Sequence, residues 1–109
     1  MKNKILSLLG LALKSKNLVS GDDTTLRELK KNKIELIIIA QDASDNTKKL
    51  FVDKSKFRNI DYVVFSTKEE LGKSIGKNSR AIIGIKDKNF ANKIKELIGG
   101  EAFVKDKSL

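Results

Sequence analysis

The stretch IELIIIA, residues 34–40, constrains this chain more than any other. It is a nearly continuous run of apolar, mostly β-branched side chains, without the alternation of a half-solvated strand. Such a run fits a strand covered on both faces, in the interior of a sheet. Covering both faces takes helices on two sides, and the flanking sequence supplies them.

Upstream, Ile5, Leu8, Leu9 and Ala12 recur at helical spacing and predict a first helix over residues 2–14. NLVS (17–20) reads as a short strand, and residues 21–31 as a second helix with Leu26 and Leu29 inward. Downstream, residues 44–56 read as a third helix with Leu50, Phe51 and Phe57 turned inward. DYVVFS (61–66) is a strand, TKEELGKSI (67–75) a short helix, and RAIIGI (80–85) a further buried strand. Phe90, Ala91, Ile94, Leu97 and Ile98 line an amphipathic last helix. Gly99 and Gly100 stop it.

This alternation predicts an α/β protein, a three-layer α-β-α sandwich around a small, mostly four-stranded mixed sheet. The third helix is long enough to carry a right-handed parallel crossover. With 109 residues the chain suits one modest core. Residues 1–98 are expected to form that single domain, and residues 99–109 a loosely held tail.

The chain has no cysteine and no histidine. Disulfides, the common zinc sites, thiol nucleophiles and imidazole bases are thereby excluded. The formal net charge is +9. A balance this basic favours a polyanionic partner, nucleic acid before a membrane surface. Most of the cations are lysine, with arginine only at positions 27, 58 and 80. Arginine makes forked planar contacts that lysine cannot, so Arg27, Arg58 and Arg80 stand out. MKNKILSLLGLAL has the basic start and apolar stretch of a leader peptide, but the stretch is short and KSKN follows it. It reads instead as a core-facing helix of a cytoplasmic protein, and no segment reaches the length of a membrane span.

Three motifs suggest chemistry. LGKS (71–74) looks like the end of a phosphate-binding loop, but Thr67 stands where that pattern needs glycine. QDASDN (41–46) shares only composition with a calcium loop, and reads better as a helix start capped by Ser44 or Asp45. Asp22 and Asp23 are the one tight acidic pair on a plausible binding edge. Adjacent residues of a helical turn diverge, which does not suit paired-acid catalysis. Ser20 and Asp23 instead have capping-box spacing, and both aspartates suit the positive end of a helix dipole.

The basic positions say more. Arg27 lies one turn beyond Asp23, with Lys30 on the same helix, and Lys73 precedes the polar, basic loop GKNSRA (76–81). A helix start that offers N–H groups to anions, beside a basic loop, makes a phosphate-contacting edge.

In order and spacing, SGDDTTLREL, IELIIIAQDAS and LGKSIGKNSRAIIGI resemble the bacterial YlxQ-like branch of the kink-turn-binding ribosomal proteins. Archaeal large-subunit protein seven-Ae and eukaryotic large-subunit protein thirty-e belong to that superfamily. The resemblance covers about residues 4–98. It implies an α-β-α sandwich that binds RNA, with no enzymatic activity; no cofactor and no metal are expected. In the superfamily the residues opening the second helix reach the sheared G·A pairs of an RNA kink-turn, which implies Gly21, Asp22, Asp23, Thr24 and Arg27 here. The loop before the last strand covers an extruded nucleotide, which implies Lys77, Asn78, Ser79, Arg80 and Ala81. LGKSIG (71–76) is similar to the family's Leu-Gly-x-Ala-x-Gly signature, whose glycines shape that loop.

The sequence departs from the family's Gly-Thr-Asn-Glu at the second-helix start, reading Gly21-Asp22-Asp23-Thr24. Asp23 can accept from guanine N–H groups but cannot donate as asparagine does. Tyr62 and the phenylalanines fall mostly on predicted core faces, which counts against a stacking platform and leaves the helix-and-loop edge. The expectation is a monomeric RNA-binding protein, ribosome-associated or bound to another structured RNA, with Lys30 and Lys73 joining the phosphate contacts. The alternative is a protein-interaction module whose basic surface docks an acidic partner, with Asp22 and Asp23 serving only as caps.

Overall fold

The computed structural model describes residues 2–104, with side chains through residue 99. The elements are α1 (Lys2–Lys14), β1 (Leu18–Ser20), α2 (Asp22–Lys30), β2 (Leu36–Ile39), α3 (Asp45–Phe57), β3 (Asp61–Val64), α4 (Lys68–Ser74), β4 (Ile82–Ile85), α5 (Lys88–Ala102) and β5 (Phe103–Val104). The sheet order is β1-β4-β2-β3-β5. β2 and β3 are parallel, joined by the crossover through α3, and the other neighbours are antiparallel.

The apolar run predicted to lie inside does so. All four residues of β2 are fully buried, and Ile38 pairs with Val63 of β3 on one side and Ile83 of β4 on the other. α2 and α3 pack on one face of this sheet, and α1, α4 and α5 form the opposite layer. The fold is therefore the expected three-layer α-β-α sandwich around a mixed sheet. Four strands carry it, with two-residue β5 added at the β3 edge.

Two close approaches fix the α2 layer and the α1 layer. A Cβ at Gly84 of β4 would lie 2.8 Å from Ile34 Cδ1 and 3.0 Å from Thr25 Cγ2, so the bare glycine lets α2 settle onto the sheet. Gly10 does the same for α1, where a Cβ would stand 3.1 Å from the Ser74 carbonyl oxygen.

Two side chains of α3 depart from expectation. Phe51 is fully buried, but Leu50 is 37% exposed and Phe57 is 81% exposed. Phe51 and Ser55 set the inward arc of α3, and at about 100° per residue both Leu50 and Phe57 fall well outside it. Phe57 is also the last residue of its helix. At the far end of the chain, Gly99 (φ 72, ψ −158) breaks the helical run of α5, and a short helical stretch and β5 follow. Residues 105–109 of the expected tail lie outside the described residues. No described helix is long and apolar enough to cross a membrane.

Candidate nucleic-acid interface

β1, β2 and β3 run the same way and β4 runs against them. The ends of β1, β2 and β3 and the start of β4 therefore share one edge of the molecule. The chain places α2, α3 and α4 directly after the first three of these strands, so three helix starts face the same edge.

α2 begins at Gly21, whose N–H donates to the Ile82 carbonyl at 3.0 Å and ties the helix start to β4. Gly21 has φ 91 and ψ 153, a left-handed conformation that side chains rarely adopt. No side chain caps this helix. The capping-box reading of Ser20 and Asp23 is therefore corrected. Ser20 Oγ instead accepts from Arg80 Nε at 3.0 Å, across 60 positions of sequence. The N–H groups of Asp22, Asp23 and Thr24, orphaned at any helix start, are left without a side-chain acceptor. Asp22 Oδ2 accepts from Thr47 Oγ1 at 3.4 Å, which links the starts of α2 and α3. Ser44 caps α3, its Oγ accepting from Thr47 N at 3.1 Å.

The second wall is the loop between α4 and β4. Gly76 turns it at φ 75. A Cβ at Gly72 would lie 2.5 Å from Ser79 Cα and 2.9 Å from the Asn78 carbonyl carbon, so the loop backbone lies directly on that glycine. Lys77 N donates to Gly72 O at 2.8 Å, and Arg80 N to Lys68 O at 2.9 Å. α4 is itself held by Asp42 Oδ1, which accepts from Lys68 N at 2.8 Å. β4 starts at Ile82, two residues later than the expected 80–85 strand, and this leaves Arg80 in the loop. Its guanidinium donates to Ser20 Oγ and, at 2.7 Å, to Ser79 O. Two of its five N–H donors are thus engaged and the rest remain.

The two walls enclose an open depression of about 400 Å³, lined by Ser20, Gly21, Asp22, Asp23, Thr24, Ser79, Arg80 and Ala81. Both helix-start and loop residues predicted from the sequence meet here. Arg27 lies one turn along α2, exposed, on the same outward face as Asp23. Lys77 and Asn78 are exposed on the loop but do not line the depression. Lys30 closes the last turn of α2, about 12 Å along the helix from Asp22. Lys73 lies on α4 and borders a separate groove against α1, with Asn3, Leu6, Ser7, Glu70 and Ser74. Among the described residues, Arg27, Lys30, Lys73 and Lys77 form no salt bridge.

Other charges are engaged structurally. Glu28 accepts from Lys86 Nζ at 3.3 Å, with Lys31 Nζ at 3.9 Å. The Lys86 hydrogen bond, helped by the charges of Lys86, Lys31 and Lys33, holds its carboxyl below the usual range. Glu70 is likewise lowered, first by the Ser66 hydroxyl and then by Lys2.

The ribosomal protein L7Ae/L30e/S12e/Gadd45 family matches residues 3–95, both walls of the depression included. The chain belongs to that family. Within it, the RNA-binding protein YlxQ of Bacillus subtilis (strain 168) is 36% identical over 91 residues, covering 84% of this chain and 91% of that one. The RNA-binding protein YlxQ of Enterococcus faecium is 36% identical over 99 residues, covering 91% of this chain and 95% of the relative. Among solved structures, a protein with unknown function from Bacillus halodurans C superposes with a TM-score of 0.84 and 37% identity, over 87% of this chain and 96% of that one. The Giardia lamblia 15.5kD RNA binding protein superposes with a TM-score of 0.74 over 89% of this chain and 83% of that one. At 22% identity that second likeness is one of fold.

Ser20 is the residue of this family member's edge that reading the sequence did not assign to the site. Its partner lies 60 positions away, and no local pattern signals such a bond.

Proposed function

We propose that this protein is a non-catalytic RNA-binding protein that grips structured RNA, a kink-turn or a related internal loop, across the depression between α2 and the 76–81 loop. The observation that carries the reading is the meeting of Gly21, Asp22, Asp23 and Thr24 with Ser79, Arg80 and Ala81 around one opening, braced by Ser20 and Arg80. Both YlxQ relatives are named as RNA-binding proteins, which supports it.

Each residue has a physical role in the proposal. Gly21 lets a base or phosphate approach the backbone closely. The uncapped N–H groups of the first turn of α2 donate to the RNA. Asp23 and Thr24 accept from base edges such as guanine N–H groups. Asp22, which also lines the depression, has one carboxylate oxygen engaged by Thr47. Arg80 offers its remaining N–H groups to a phosphate or a splayed base, and Asn78, Ser79 and Ala81 form the lip over it. Arg27, Lys77, Lys30 and Lys73 meet the backbone on either side as screened charges. The proposed setting is cytoplasmic, with the protein a monomer on ribosomal or another structured RNA.

Replacing both Arg27 and Arg80 by alanine tests the reading. Two lost phosphate contacts flatten the dependence of log affinity on log salt by roughly 1.5. Because Arg80 also braces Ser20, a second variant, R27A/K77A, leaves that bond intact and is expected to show a similar change. Salt titrations in which neither double variant differs from the unchanged protein would overturn the assignment.

A further inference from the structure

Arg58, one of the three arginines, has no part in the edge described above. It stands at the end of α3, with its Cζ 5.4 Å from the centroid of the Phe57 ring. Phe57 is 81% exposed, and Leu50 is exposed two turns before it. Leu50, Asp53, Lys54, Phe57 and Arg58 surround a shallow hollow of about 570 Å³. Asp53, its one carboxylate, is paired with Lys49 Nζ at 3.1 Å. The hollow therefore presents an aromatic ring and part of a leucine within a cationic rim.

We propose that Phe57 and Arg58 form a second RNA contact, a platform on which an unpaired nucleobase stacks while Lys54 and Arg58 meet its flanking phosphates. The proposal rests on the RNA-binding reading above and extends it to a different face. Three observations favour a nucleic acid over a protein. A stable protein interface buries about 800 Å² on each partner, and one ring beside a half-exposed leucine offers a small part of that. A single base, by contrast, needs only one ring face. The guanidinium over one face of the ring leaves the other for a base, and matches the aromatic and arginine pairing that holds single strands by stacking and charge together.

The position on the fold points the same way. Thr47, Leu50, Lys54 and Phe57 are spaced three, four and three residues apart, so they form one stripe along α3. Thr47, at its head, bonds Asp22 at the start of α2. The stripe thus leads from the depression to the platform, about 15 Å away at 1.5 Å per residue. That distance is roughly four or five steps of a stacked strand at 3.4 Å each. A strand leaving RNA held at the first edge can reach the second without crossing the molecule.

The test uses the full chain and two RNAs. One is a hairpin with a tandem G·A internal loop, and the other carries an added single-stranded uridine tail. The unchanged protein is expected to bind the tailed RNA more tightly. F57A, which alters an exposed side chain, is expected to lose roughly tenfold on the tailed RNA and nothing on the hairpin. F57Y keeps a ring and should restore the tenfold. The chain has no tryptophan, so F57W creates a single reporter whose emission should be quenched by the tailed RNA alone. Equal affinity of F57A and the unchanged protein for the tailed RNA overturns the proposal. So does a concentration-dependent dimer that F57A abolishes while RNA affinity stays put, which would give this face to a protein contact. Failure of the unchanged protein to bind either RNA would instead sink the underlying reading, and the two failures are distinguishable.

Discussion

Replacing Gly72 by alanine asks how firmly the 76–81 loop is seated. A Cβ there would meet Ser79 Cα at 2.5 Å, Ser79 N at 2.6 Å and the Asn78 carbonyl carbon at 2.9 Å. All three are backbone atoms, so no rotamer change relieves the overlap. Carbon atoms settle at about 3.5–4.0 Å, so the loop must retreat by at least ~1 Å. Overpacking of this kind costs about 1–3 kcal/mol, and a backbone-on-backbone overlap belongs at the upper end. Alanine returns about 1 kcal/mol of helix propensity within α4. The net loss is about 2 kcal/mol, or roughly 10 °C in Tm for a domain this size. The retreat also strains the Arg80 N–Lys68 O bond (2.9 Å) and the Arg80 Nε–Ser20 Oγ bond (3.0 Å), so RNA affinity should fall with stability. Urea unfolding measures the first effect and RNA titration the second. G76A serves as the comparison, because nothing lies within 4 Å of a Cβ there and only its φ of +75 is at stake. A G72A protein as stable as the unchanged one, with the same RNA affinity, would show that the loop does not rest on Gly72.

Two further predictions concern stability. Glu70 accepts from Ser66 Oγ at 2.6 Å and from Lys2 Nζ at 3.0 Å, which lowers its pKa from the ordinary 4.5. A lowered carboxylate stabilises fully above the unfolded-state pKa and loses that contribution as pH falls through the folded value. E70Q should therefore lose less of its urea midpoint than the unchanged protein as pH drops below 4.5. Parallel acid dependences would count against the assignment. Thr25 is fully buried in α2, and its Oγ1 has no hydrogen-bond partner among the described residues. T25V removes that unmatched hydroxyl at nearly constant shape and should raise stability by about 1 kcal/mol, seen as a Tm increase of ~4 °C.

The strands and helices were legible because burial wrote itself into the spacing of apolar residues. IELIIIA could only be an interior strand, and Ser44 stood in the right place to cap α3. Where an apolar residue served another purpose, the same logic misled. Leu50 and Phe57 repeat at helical spacing, but the core side of α3 is set by Phe51 and Ser55. The two ends of the candidate site could be picked out singly, from glycine, charge and family resemblance. Their junction was not, because Ser20 and Arg80 are neighbours only after the sheet has formed. Ser20 thereby abandoned the capping role its local sequence advertised. Lys30 and Lys73 illustrate the converse, since nearness in sequence to site residues did not bring them into the depression.

That junction has a bearing on the protein's birth. β1 pairs with β4 through partners such as Leu18 and Ile85, so α2's start acquires its opposite wall only after nearly four-fifths of the chain has emerged. Contacts this distant in sequence carry a large loop-closure cost that slows folding. A nascent chain that has made α2 alone holds half a grip, with Gly21 unanchored and Arg80 not yet synthesised. On the proposed reading, RNA that spans both walls would select chains folded through β4 from shorter ones, and would hold them folded by mass action once bound. On the proposed reading, binding competence thus reports that the chain has been made and folded through β4.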